Sequence, residues 1–171
     1  LVSLASPAKR PVSTIAVAGV LDLRSQNFSQ IIPLKGQWQF FWNQLLDPHL
    51  AFSEKGKMAD LPGKWTDQKL NGKKYPSFGY ATYKLRILLP QRTDPLRIEI
   101  PEVYSAYILF INGKTASSNG RVSTRPAGFE PHWERKFVDI ASAVDTLDLT
   151  LQIANFVHSK GGISKPLLIG K

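Results

Sequence analysis

The 171-residue chain has no cysteine, one methionine and only three histidines. Without cysteine it can form no disulfide, thiolate nucleophile, Cys-ligated zinc site or iron–sulfur cluster. His49, His132 and His158 lie far apart, and none has a metal-type partner at short spacing, so no metal centre is expected. Long apolar runs are missing too: no stretch reaches the ~18 residues a membrane-spanning helix requires. Helical signal is confined to residues 43–46, before Asp47-Pro48, and residues 141–144, each enough for a turn or two. There is no Gly-x-Ser-x-Gly elbow and no Gly-rich phosphate loop with its lysine. Carboxylates are present, but Glu99 falls on the wet face of a strand and Glu130 and Glu134 fall in a loop. No pair suited to glycoside hydrolysis is indicated, and structural ion pairs are the expected use. The inventory points to a non-enzymatic chain with no cofactor and no metal.

Acidic residues are the minority, 13 against 22 Lys and Arg, for a formal charge of +9. Such an excess can serve nucleic acid, a membrane surface or an acidic ligand. Here the charge is scattered. Its densest stretch, Lys55, Lys57, Lys64, Lys69, Lys73 and Lys74, is interrupted by Glu54, Asp60 and Asp67 and reads as a solvated loop. No zinc finger, basic zipper or RNA-recognition motif is present, so nucleic acid is not an expected partner.

What the chain does have is alternation. Ala81, Tyr83, Leu85 and Ile87 alternate with Thr82, Lys84 and Arg86; Leu96, Ile98 and Ile100 with Arg97 and Glu99; Leu147, Leu149, Leu151 and Ile153 with Asp148, Thr150 and Gln152. Period two of this kind marks strands with one buried face. Residues 103–111 are apolar on both faces and should lie centrally, closed by Asn112-Gly113, a hairpin pair tolerant of positive φ. Further strands are expected over 19–23, 36–42, 136–140 and 163–169, with Trp38, Phe40 and Trp42 on a core face. Eight or nine short strands with Gly and Pro punctuation predict an all-β, antiparallel sandwich or barrel. Residues 15–171 read as one domain. Residues 1–14 begin Leu-Val-Ser-Leu-Ala-Ser-Pro-Ala, small and uncharged, and read as a leader or signal-peptide remnant or as an arbitrary boundary.

Binding chemistry concentrates in residues 120–133, a long polar loop carrying Arg121, Arg125, Glu130, His132 and Trp133. Planar guanidinium forks, a carboxylate, an imidazole and an indole suit a sugar or a small anion. Equally, Phe129 and Trp133 could tuck into the sandwich edge. A second loop, residues 71–80, is aromatic and basic and contributes Tyr75 with the same two readings.

Several motifs now stand in order: Leu34-Lys35-Gly36-Gln37-Trp38-Gln39-Phe40, Leu61-Pro62-Gly63-Lys64-Trp65, Gly79-Tyr80-Ala81-Thr82-Tyr83-Lys84-Leu85 and Ile111-Asn112-Gly113-Lys114. The series resembles the sugar-binding jelly-roll domain of glycoside hydrolase family 2. It more closely resembles the extracellular sensor domain of bacterial seven-transmembrane receptors with diverse intracellular signalling modules. That resemblance adds Phe41-Trp42, Leu45-Leu46-Asp47-Pro48 and Asn155-Phe156-Val157-His158 with Gly161-Gly162, and covers residues 20–170. It implies a galactose-binding-domain-like jelly roll, binding a saccharide-like small molecule. The domain would face the periplasm or exterior at a bacterial inner membrane. The membrane-embedded remainder of the same polypeptide would be its partner, a histidine kinase or nucleotide cyclase its output, and a homodimer is compatible. Asn155 and His158 either contact that ligand or pin the Gly161-Gly162 turn. The alternatives are an accessory domain of a family 2 glycosidase and a protein-interaction module.

Overall fold

The alternating runs pair into two sheets with their apolar faces turned toward each other. The computed structural model describes residues 14–53, 56–91 and 94–171; apart from Thr14, the proposed leader lies outside them. The strands are β1 (Ile15–Ala16), β2 (Val20–Asp22), β3 (Ile32–Pro33), β4 (Lys35–Trp42), β5 (Lys57–Leu61), β6 (Gly63–Lys64), β7 (Lys69–Leu70) and β8 (Lys73–Lys74). They continue with β9 (Gly79–Leu88), β10 (Leu96–Ile100), β11 (Ala106–Ile111), β12 (Lys114–Asn119), β13 (Lys136–Ile140), β14 (Thr146–Asn155), β15 (Gly162–Ile163) and β16 (Leu168–Gly170).

The larger sheet runs β1-β4-β9-β14-β11-β12, with β5 also on β4 and β2 also on β9. The smaller runs β13-β10-β16-β3. Among the described residues pairing is antiparallel except where β1 meets β4 and β2 meets β9. The centre of the large sheet is β9 against β14, in register from Gly79 opposite Asn155 to Leu88 opposite Thr146. Their inward residues, Tyr83, Leu85, Ile87, Leu149, Leu151 and Ile153, share one buried core with Trp38 and Phe40 of β4 and with Leu96, Ile98, Ile100 and Ile169 of the small sheet. Each Leu or Ile so buried contributes about 1.5–3 kcal/mol. The architecture is the expected antiparallel β-sandwich of jelly-roll type.

Two details depart from the sequence expectation. β11 lies inside the sheet, between β14 and the polar strand β12 that follows the Asn112-Gly113 turn, but only one of its faces is fully covered: Tyr107 and Leu109 are buried, Ile108 and Phe110 half-buried. The turn itself forms as expected, with φ of 50° and 79°. The run 163–169 divides into β15, paired with β6, and β16, paired with β10 and β3. Between them Pro166 has no N–H to give a ladder.

Candidate functional site

The outward face of the large sheet is polar yet buried. Gln39, Thr82, Lys84, Thr150 and Gln152 are all shielded from solvent. Residues 43–53 cross this face as a strap, held by the side chains beneath it. Thr82 Oγ1 donates to the Gln44 carbonyl (2.7 Å) and accepts from the Leu46 N–H (3.0 Å). Gln152 Nε2 donates to the Leu46 carbonyl at 2.9 Å, and Gln39 Nε2 to that of Ser53. Lys84 Nζ donates to the Leu50 carbonyl at 3.0 Å. The Arg86 guanidinium lies 4.7 Å from the Phe52 ring centre and grips Asp148 through two bonds of 2.7 and 2.8 Å.

Beyond the strap's tightest contacts a cavity of about 430 Å³ opens, lined by Lys84, Asp148 and Thr150 from the sheet, Asn112 and Gly113 from the hairpin, and Pro48 to Ala51 from the strap. His49 closes one rim against the hairpin: a Cβ on Gly113 would stand 2.8 Å from His49 Nδ1. Burial holds the Lys84 amine below the ordinary lysine range; the Asp148 charge opposes this and Arg86 reinforces it. Alternation alone could not reveal this site, because a polar face under a strap has the same period as a polar face in water. The usable signal was the apolar content of the strap, Leu45, Leu46, Leu50, Ala51 and Phe52, in a segment with no strand pattern.

The residues singled out from sequence gather mostly at the opposite end of β14. There Asn155 is fully buried. Its Oδ1 accepts from Ser105 Oγ (2.7 Å) and the His158 N–H (3.1 Å), and its Nδ2 faces the carbonyls of His158, Ser77 and Lys160 at 2.7, 2.8 and 3.1 Å. The His158 ring stacks on Tyr104, centres 4.5 Å apart, and its Nδ1 accepts from the Lys160 N–H. The loop 120–133 joins this cluster where the His132 N–H donates to the Ser105 carbonyl at 3.0 Å. Arg121 and Glu130 form a two-residue bridge, backbone to backbone, with a 2.5 Å ion pair between their side chains. His132 Nε2 stands 3.5 Å from Glu134, and Trp133 remains 45% exposed.

Phe129, by contrast, tucks in, covering Ala106 and Ala154 and meeting Phe156 edge-on at 5.4 Å. Arg125 sits at the loop tip, its N–H bonded to Ser123 Oγ. Tyr75 lies apart, buried against Phe40 and Trp42, with its hydroxyl accepting from Lys57 Nζ at 2.8 Å. Glu99, Glu130 and Glu134 each meet a cation, Arg135, Arg121 and Lys136 respectively.

The base of the loop depends on one glycine. Gly120 has φ of 64°, and a Cβ there would stand 2.2 Å from the Glu130 carbonyl oxygen. Gly120→Ala should therefore part the Arg121–Glu130 bridge and cost about 2 kcal/mol. Urea unfolding, with limited proteolysis of the loop, checks this.

No family model matches the chain, and no curated protein sequence matches it. Solved structures similar to this chain include enzymes of glycoside hydrolase family 2. Faecalibacterium prausnitzii β-glucuronidase superposes with a TM-score of 0.62 at 12% identity, over 82% of this chain and 31% of that one. A family 2 glycosyl hydrolase from Bacteroides cellulosilyticus gives 0.63 at 10%, over 82% and 20%. The family 2 β-galacturonidase from Eisenbergiella tayi, solved with galacturonate, gives 0.54 at 15%, over 82% and 24%. The likeness establishes the β-sandwich fold. The chain spans less than a third of these enzymes' length.

Proposed function

We propose that this chain is a non-catalytic ligand-binding β-sandwich, an accessory module of the kind built into family 2 glycoside hydrolases, recognising a saccharide-like ligand. The observation carrying this reading is the extent of the match: most of this chain, but only 17–31% of the first three β-glucuronidases. The β14 end supplies suitable chemistry. Trp133 offers an exposed aromatic face, and the stacked Tyr104–His158 pair, held by Asn155, offers a rigid neighbour. Arg121, Glu130 and His132 provide hydrogen-bonding groups around them.

The test is calorimetric titration with neutral oligosaccharides on the parent and on Trp133→Ala. Loss of a stacking face should weaken binding by about tenfold. Equal affinity in the variant would remove this end of the molecule from consideration.

A second reading, the sensor domain of a membrane-bound receptor, rests on the sequence resemblance that includes the Asn155–Gly162 segment. The motif behind that resemblance forms a self-locked unit, with Asn155 bonded to His158 and Lys160 and Gly161 pressed on Trp65. Among the described residues no helix is long and apolar enough to cross a membrane. The flanking coding sequence discriminates: seven hydrophobic helices favour the sensor, an immunoglobulin-like domain and a barrel the glycosidase.

A further inference from the structure

The cavity under the strap is a second polar site, at the opposite end of β14 from Trp133 and Asn155. Its distinguishing feature is Lys84. The residue is only 4% exposed. Yet its amine has one hydrogen-bond partner, the neutral Leu50 carbonyl, and meets no carboxylate within ion-pair distance among the described residues. Asp148, the nearest candidate, is taken by both arms of Arg86. A buried ammonium without a counter-charge is costly, and an ammonium has three donors to satisfy. Lys84 lines a cavity of about 430 Å³, within the range of small-molecule sites.

The surroundings narrow the chemistry. Thr150 is buried beside Lys84 in the sheet register, and its hydroxyl has no hydrogen-bond partner among the described residues. Thr146 and Asn112 line the wall, and the Asp148 carboxylate can accept further bonds from hydroxyl donors. The mix is one cation with no carboxylate at ion-pair distance among the described residues, one carboxylate already held by Arg86, and several neutral polar groups. We infer that this cavity binds a small hydroxylated carboxylate, its acid group on Lys84 Nζ and its hydroxyls on Thr150 and Asp148. The same chemistry is shared by a sugar acid and an open-chain hydroxy acid. The inference stands without the saccharide site at the β14 end.

The test is titration calorimetry with glucuronate, gluconate, glucose and inorganic phosphate on the parent, Lys84→Met, Thr150→Val and Trp133→Ala. One or both carboxylates should bind, glucose should not, and Lys84→Met should lose at least about tenfold in affinity. Preference for glucuronate over gluconate identifies a ring sugar acid; the reverse identifies the open-chain source. Thr150→Val should weaken binding several-fold. Amide shift mapping on the parent gives a readout that survives a misfolded variant: the responding residues should be Leu50, Asn112 and Gly113. No carboxylate binding, binding of phosphate alone, unchanged affinity in folded Lys84→Met, or shifts confined to the Trp133 loop would each overturn the inference. Loss of carboxylate binding in Trp133→Ala with Lys84→Met unaffected would assign the acid to the saccharide site instead.

Discussion

Asn155→Ala is expected to destabilise the protein by about 3–5 kcal/mol, at the upper end of what a single polar deletion does. The side chain is fully buried, so no water replaces it at once. Its loss strands Ser105 Oγ, itself buried, together with the His158 N–H. It also strands the carbonyls of Ser77, His158 and Lys160, which arrive from two different loops. Each buried group left unpaired costs about 1–3 kcal/mol, reduced where the loops relax into solvent. For a chain of this size the midpoint of thermal unfolding should fall by roughly 10 °C. Asn155→Asp separates the two halves of the amide's role: it keeps the acceptor and places a carboxylate against three carbonyl oxygens, so it should be no milder. A variant within about 1 kcal/mol of the parent would mean that residues 156–161 hold their shape by other contacts.

Gly161→Ala should have an effect of similar size for a steric reason. A Cβ at this position would stand 2.1 and 2.2 Å from Cε2 and Cζ2 of Trp65. That indole cannot move aside. It is fully buried, meets Trp42 edge-on at 5.2 Å, and donates through Nε1 to the Pro76 carbonyl at 2.9 Å. The backbone cannot retreat either, because the Trp65 N–H donates to the Gly161 carbonyl at 2.9 Å. One methyl group therefore forces the loop off the core, at about 3 kcal/mol or more. Denaturant unfolding followed by tryptophan fluorescence reads both the loss and its location. Asn155 and Gly161 secure the same loop, so the double variant should lose less than the sum of the two. Strict additivity would show that they act on separate units.

These positions also show what the sequence could and could not convey. The strand faces were legible because alternation reports directly which side of a strand is apolar, as in Tyr83, Leu85 and Ile87. The Asn112-Gly113 hairpin was legible because few residues accept positive φ twice in succession. The use of Asn155 was left open between ligand and turn, and its five hydrogen bonds now account for the side chain structurally. Tyr75 was not legible: an aromatic in a basic loop reads alike whether it faces outward or, as here, fills a gap between Phe40 and Trp42. Lys84 was least visible of all. It occupies the wet phase of its strand, and only the strap, contributed by residues more than thirty positions earlier, turns that wet face into a buried one.

Binding of a small polar ligand without turnover, as proposed above, is read from the thermal unfolding midpoint of the chain across a panel of neutral and acidic saccharides. A ligand held at ~100 times its dissociation constant adds about 2.7 kcal/mol, a rise of roughly 5–10 °C at this chain length. Such a rise is expected with at least one saccharide, saturating with concentration and with the ligand recovered intact. A midpoint unmoved by every saccharide, or a rise accompanied by cleavage of the ligand, would contradict it.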